Sequence, residues 1–160
     1  MTEAQAFAYL QEIPDPEIPV ISIVELGVVR AVSINGSVAE VTITPTYSGC
    51  PAMKQMEDDV RSKLLEKGAE QVTIKMVYQP AWTTDWLSEE AKLKLQKYGI
   101  APPEESTSDK SFLLGIPKSI TCPHCKSKNT ALVSQFGSTA CKALYRCSDC
   151  LEAFDYFKCI

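Results

Sequence analysis

The clearest pattern along the chain is a pair of apolar, β-branched runs, residues 28–34 and 38–44, set around Asn35-Gly36. Asn-Gly accepts the positive φ of a tight turn, so a two-stranded hairpin is predicted there. The period then changes. Over residues 51–67, Met53, Met56, Val60 and Leu64 fall on one helical face, while Lys54, Glu57, Asp58, Arg61 and Lys63 lie mostly elsewhere. Pro51 suits the first helical position and Gly68 the stop. Residues 71–78 return to strand chemistry. A last helix is predicted from Ser88, or from Thr84 if a Trp-bearing turn is included, to Tyr98, closed by Gly99. Ahead of the hairpin, Thr2 is read as the cap of a short helix with Ala4, Phe7, Ala8 and Leu10 on its apolar side. Pro14, Pro16 and Pro19 stop that helix, since each removes an amide donor and restricts its predecessor. Residues 20–26 are read as one helical turn ending at Gly27.

A strand that follows a helix can pair beside the hairpin, so the expected class is α+β, a small mixed sheet with flanking helices. The domains are placed at 1–99 and 120–160. Between them, 100–119 reads as a linker containing Pro102-Pro103, Glu104-Glu105 and a Phe112-Leu113-Leu114 patch able to dock.

The second domain is defined by cysteine. Cys122-Pro-His-Cys125 and Cys147-Ser-Asp-Cys150 each put two sulfurs on one tight turn. The segment between them carries β-like runs at 130–136 and 142–146 with Gly137 between, so a hairpin can bring the turns together around a tetrahedral ion. Such a β ribbon has too small a core to fold alone, and one structural zinc per chain would supply much of its folding free energy. Iron in a rubredoxin-like site uses the same geometry and stays open as the rival. His124, between the first ligand pair, is expected to be exposed or to sit behind the ligands. Cys141 is expected in the core, and Cys159 as a free thiol in the tail.

Composition sets the limits. Hydrophobic residues make up 45% and charged residues 22%, enough for packed cores. The seven cysteines are an odd number, and the opening MTEAQAFAYLQE has no basic residue, so neither a disulfide framework nor a signal peptide is read. No apolar run reaches the roughly 18 residues of a membrane span. A cytoplasmic protein is expected. Residues 1–117 hold 10 Lys+Arg and 17 Asp+Glu (−7), and residues 118–160 hold 6 and 3 (+3). Four thiolates and a divalent ion would add −2 to that tail. The remaining charge is too weak a footprint for DNA or RNA, so a nucleic-acid-binding ribbon ranks last among the readings.

Cys50 is the informative residue of the first domain. It lies in Thr44-Pro45-Thr46-Tyr47-Ser48-Gly49-Cys50-Pro51, between a strand end and a helix start. There its sulfur would meet unpaired amides and the positive end of the helix dipole, a setting for a reactive thiol. Thr44, Thr46 and Ser48 add hydroxyls, and Asp15 can approach from the proline loop. The competing reading is a small residue that fits a turn. The sole histidine, His124, lies on the other domain, which argues against a Cys-His catalytic pair. Trp82 and Trp86 are read as core or interface.

These residues carry a resemblance. Asp15-Pro16-Glu17-Ile18-Pro19, then Ile23-Val24-Glu25-Leu26-Gly27-Val28-Val29, Thr44-Pro45-Thr46 and Cys50-Pro51, resemble the metal–sulfur cluster assembly domain of the MIP-eighteen/SufT type, over about residues 3–98. Residues 136–147 with Phe154-Asp155-Tyr156-Phe157-Lys158 resemble the PaaD family of phenylacetate-degradation proteins, which joins such a domain to a cysteine ribbon. The resemblance implies an accessory or maturation role beside the multicomponent phenylacetyl-CoA epoxidase, with its di-iron oxygenase and iron–sulfur flavin reductase. With one histidine and no dinucleotide or ferredoxin-type motif, the chain itself is read as neither of those enzymes. The resemblance makes Cys50 the cluster-handling thiol, with Asp15, Thr44 and Thr46 around it. A single thiol is short of the four ligands an iron–sulfur cluster takes. A homodimer, an external thiol or a transient handoff would have to supply the rest.

Overall fold

The computed structural model of the chain describes residues 1–104 and 118–158. The first element, α1 (Glu3–Leu10), starts in a reciprocal cap. The Thr2 hydroxyl accepts the Gln5 N–H at 3.2 Å, and the Gln5 side chain accepts the Thr2 N–H at 2.9 Å. Its buried residues are Ala6 and Leu10, whereas Ala4 and Ala8 are exposed and Phe7 is half-buried. Leu10 faces inward as expected, whereas Ala6 takes the buried place expected of Ala4 and Ala8, since alanines alone give the pattern little direction.

The hairpin forms from β1 (Val29–Asn35) and β2 (Val38–Ile43), paired antiparallel. Asn35 pairs with Val38, so the two turn residues are Gly36 and Ser37, and only Gly36 has positive φ, at 64°. The turn is shifted by one residue from the Asn-Gly expectation, with glycine in the first central position as in a II′ turn. Along β2 burial alternates, with Ala39, Val41 and Ile43 inward. In β1 a bulge between Val29 and Ala31 resets the phase, so that Val29 and Val32 both face the core.

Next comes α2 (Ala52–Glu66), which buries Met53, Met56, Val60 and Leu64 as the periodicity requires. After it, β3 (Gln71–Met76) runs parallel to β2, giving the order β1-β2-β3. A parallel neighbour needs a crossover, and α2 is that crossover. Helix α1 packs on α2 and β1, and α2 packs on β3, so the helices bury one face of a mixed sheet. The segment before β1 is stitched in by its backbone. Ile23 N–H donates to Ile13 O at 3.0 Å, Val28 N–H to Ile23 O at 3.0 Å and Thr44 N–H to Val28 O at 2.9 Å. The expected single turn is present, with Leu26 N–H donating to Ser22 O at 2.9 Å and Gly27 at φ 81°. The Trp82 indole N–H closes the unit by donating to Leu26 O at 2.9 Å, its ring buried.

Cα proximity divides the chain at Trp82/Thr83, not at residue 99. The second unit starts with a 3₁₀ turn at Thr84–Trp86 and α3 (Glu89–Tyr98), capped by the Ser88 hydroxyl and ended by Gly99 at φ 94°. Directly after α3, β4 (Ile100–Ala101) pairs in parallel with the last strand of the ribbon. That pairing is the physical reason for the difference. Residues expected to open a linker form a sheet edge, and Glu104 accepts the Thr121 N–H at 2.7 Å. The Phe112-Leu113-Leu114 patch lies outside the described residues. The ribbon strands are β5 (Thr130–Ser134), β6 (Lys142–Cys147) and β7 (Ala153–Phe157), in the sheet order β4-β7-β6-β5. Their core holds Ala101, Ile120, Ala143, Tyr145 and Phe154, with Tyr145 stacked on Phe154 at 6.0 Å. Among the described residues no helix is long and apolar enough to cross a membrane.

The burial pattern of α2 makes a stability prediction. Leu64 is fully buried and Leu65 is exposed, so Leu64→Ala is expected to destabilise the first unit by about 2–5 kcal/mol. Leu65→Ala is expected to stay within about 0.5 kcal/mol. Urea unfolding followed by Trp82 fluorescence in a Trp86→Phe background checks both.

Candidate metal centre and thiol site

The ribbon brings its four paired cysteines to one point. The sulfurs of Cys122, Cys125, Cys147 and Cys150 all lie within 4.8 Å of one another. Cys122 Sγ stands 3.7 Å from Cys150 Sγ, and Cys125 Sγ stands 3.5 Å from Cys147 Sγ. A tetrahedral ion bonded to sulfur at about 2.3 Å would set those edges near about 3.8 Å. The separations are far longer than a disulfide and match that edge, so the donor set fits a tetrahedral ion.

Two similar turns make this geometry. Cys122 N–H donates to Ser127 O at 2.8 Å, and five-residue spacing recurs where Cys147 N–H donates to Glu152 O at 2.9 Å. Each turn passes through a left-handed residue just after its second cysteine, Lys126 and Leu151, both at φ 66°. No glycine marks these positions, so nothing local in the residues announces them. Backbone amides of the turns favour the thiolate form, Ser127 at Cys125, Cys150 and Asp149 at Cys147, and Glu152 at Cys150. Cys122 and Cys147 are buried, Cys150 is half-buried and Cys125 is exposed.

The four thiols are not equivalent. The Cys150 and Asp149 amides outweigh burial and pull Cys147 down to about 7. At Cys150 the Glu152 amide favours the thiolate, but burial and the neighbouring thiols prevail and push it up to about 12. Cys125 is likewise raised, with the Ser127 amide outweighed by burial and by Cys147. The group can therefore start from one thiolate near neutral pH and lose further protons to an incoming cation.

His124 is exposed, as expected, and its ring lies over Gly99, whose added Cβ would meet Cε1 at 3.3 Å. Cys141 is buried directly before β6, with the Thr139 hydroxyl 3.0 Å from its sulfur. Beside it Lys142 and Lys158 are buried, with the Lys158 ammonium 4.5 Å from the centre of the Phe136 ring. Hydropathy alone could not single out those two lysines. Cys159 lies outside the described residues.

In the first unit, Cys50 ends the loop between β2 and α2. Its carbonyl accepts the Met53 N–H at 3.2 Å, so it stands one residue before Pro51 at the helix start. The thiol is in no disulfide and the residue is only 7% exposed. Thr44, directly after β2, is 1% exposed, and its Oγ1 is the buried side-chain polar atom without a hydrogen-bond partner among the described residues. Asp15 is buried too, and its Oδ1 accepts the Glu17 N–H at 2.9 Å and the Ile18 N–H at 2.7 Å. The backbone ladder through Ile13, Ile23 and Val28 ties the Asp15 loop to Thr44. Thr46 is half-buried, while Ser48 is exposed.

The proton inventory predicts how the ribbon responds to pH. Cation binding selects the thiolate form, so affinity is expected to rise as pH increases through about 7, where Cys147 deprotonates, and to collapse below it. Cobalt(II) titrations from pH 5.5 to 8, read by the tetrahedral d–d bands and by proton release, check this. Bands that persist unchanged at pH 5.5 would contradict it.

Comparison with known proteins gives two family matches. The iron–sulfur cluster assembly protein family matches residues 3–76, and the PaaD zinc β-ribbon domain matches residues 106–158. A relative in Escherichia coli (strain K12), named as a 1,2-phenylacetyl-CoA epoxidase subunit, is 47% identical over 98% of this chain and 92% of its own. A protein of Porphyromonas gingivalis named as an Fe-S protein maturation auxiliary factor is 38% identical over 59% of this chain and 90% of its own. Among solved structures, a domain of unknown function (DUF59) from Bacillus anthracis superposes with a TM-score of 0.54 at 31% identity. It covers 58% of this chain and 90% of that one. An assembly-type α+β unit followed by a cysteine ribbon, matched over nearly its whole length, makes the chain a member of the PaaD-type family of phenylacetyl-CoA epoxidase proteins.

Proposed function

We propose that this chain is a non-catalytic accessory protein of a phenylacetyl-CoA epoxidase system, which helps install or maintain an iron–sulfur centre. Its recipient is the iron–sulfur flavin reductase, and it acts in the reducing cytoplasm. The observation that carries this reading is the match to the Escherichia coli epoxidase relative across both units, together with the maturation-factor relatives of the first unit alone. In this reading Cys50 is the transferable ligand. Its position one residue before Pro51, the N-cap of α2, supports the role, because the positive end of the helix dipole lies close by. In the same reading Thr44, Asp15 and Thr46 assist Cys50, and the buried hydroxyl of Thr44 without a partner among the described residues supports a place for Thr44 near the cargo.

Zinc is the ion assigned to the ribbon. Four thiolates from the protein leave no open coordination position, the mark of a structural rather than a catalytic site. Cys122, Cys125, Cys147 and Cys150 would hold it, and the ribbon would then serve as the docking element for the recipient. One thiol per chain cannot anchor a cluster, so cargo passes through the protein transiently or between two copies of it.

A second reading makes the chain a docking component of the epoxidase with no hand in cluster loading. The near-complete burial of Cys50 favours it, since a handoff needs an accessible sulfur.

The two part on one experiment. In cells, Cys50→Ala is expected to lower the iron and acid-labile sulfide of the reductase several-fold and to reduce epoxidase activity with it. Unchanged cluster content, with activity lost only when the ribbon cysteines are replaced, would instead leave the docking reading.

A further inference from the structure

The two cysteine turns are also joined by side chains that touch no sulfur. Ser127 follows the first turn and Asp149 lies within the second. The Ser127 hydroxyl donates to Asp149 Oδ2, and the Asn129 side-chain amide donates to Asp149 Oδ1 at 2.9 Å. Asn129 N–H donates to the Ser127 hydroxyl at 2.9 Å, and Ser148 N–H donates to Asn129 O at 2.8 Å. Both carboxylate oxygens of Asp149 are thus committed to the opposite turn.

The backbones of the same residues meet the ligands. The Ser127 amide favours the thiolate of Cys125, and the Asp149 amide favours that of Cys147. Those are the two sulfurs that stand 3.5 Å apart. A side-chain bridge therefore links the amide donors of two ligands that come from opposite turns. The pairing of Thr130 with Cys147 in β5 and β6 also relates the turns, but it reaches the second turn only at its first cysteine.

We propose that Asp149 is a positioning residue of the metal centre, whose carboxylate, held by Ser127 and Asn129, clamps the two cysteine turns at the spacing a four-sulfur ion requires. This rests on the reading that the four cysteines hold zinc. Groups that orient metal ligands from behind influence retention strongly, and their loss typically costs about 10–100-fold in affinity. The clamp is a hydrogen-bonding device rather than a charge effect. An asparagine at 149 can accept from Asn129 through its oxygen and donate to the Ser127 hydroxyl through its amide, so Asp149→Asn keeps the bridge and removes the charge.

The test uses the full chain loaded with zinc, with release to excess chromophoric chelator timed and the far-UV circular dichroism of the loaded proteins compared. Asp149→Ala is expected to release zinc about 10–100-fold faster than the parent chain with an unchanged spectrum. Asp149→Asn should stay within about threefold of the parent, since it keeps both hydrogen bonds. Parental release from Asp149→Ala, or release from Asp149→Asn as fast as from Asp149→Ala, overturns the clamp. Should Asp149→Ala fail to fold, the pair Ser127→Ala and Asn129→Ala opens the bridge from the other side, and parental release from that double variant overturns it equally. A parent chain that binds no zinc at all removes the metal reading and the clamp together, which separates that failure from a failure of the clamp alone.

Discussion

Four sulfur atoms within 4.8 Å of one another are the constraint on which the second unit is built. Ionised thiols at that range repel, and neutral thiols give little cohesion, so only a shared cation makes the arrangement favourable. The rest of the unit follows from meeting that demand. The β5–β6 hairpin returns the second turn to the first. Left-handed backbone at Lys126 and Leu151 turns the chain back after each second cysteine, so that Cys122 N–H reaches Ser127 O and Cys147 N–H reaches Glu152 O. The small core around Tyr145 and Phe154 fills the space behind Cys122 and Cys147, and the short strand β4 extends the sheet on the side of β7.

The first unit answers a different constraint. Because β3 lies parallel to β2, the chain must leave the end of β2, cross by α2 and return. The crossover is what carries Thr44 and Cys50 to opposite ends of one short loop. Antiparallel return would have consumed that loop as a turn. Burial of Thr44 with no protein partner for its hydroxyl costs free energy that well-packed units seldom tolerate.

Much of this is legible in the residues. The helix face Met53, Met56, Val60 and Leu64 needs only the 3.6-residue period, and the paired spacing of the cysteines points to a shared centre before any coordinates. What escapes has physical causes. The alanines of α1 are misplaced, Ala6 being buried and Ala4 and Ala8 exposed, because alanine is equally at home inside and outside. The hairpin turn slips by a residue because Gly36, not Asn35, takes the positive φ. A boundary at residue 99 misses β4, since two residues of strand after a helix-ending glycine carry no periodicity. Strand β7 is marked only by family likeness. The buried Lys142 and Lys158, and the role of Asp149, depend on partners distant in sequence.

Leucine at 151 bears on the stability of its turn as well as on its shape. A branched side chain held in left-handed backbone stores about 1–3 kcal/mol, and this one is 65% exposed, with little packing of its own in return. The strain is sustained by the closed turn around it, and that turn is sustained by the ion. Without an ion to close the turns, Leu151 and its counterpart Lys126, also at φ 66°, are the positions where each turn would relax.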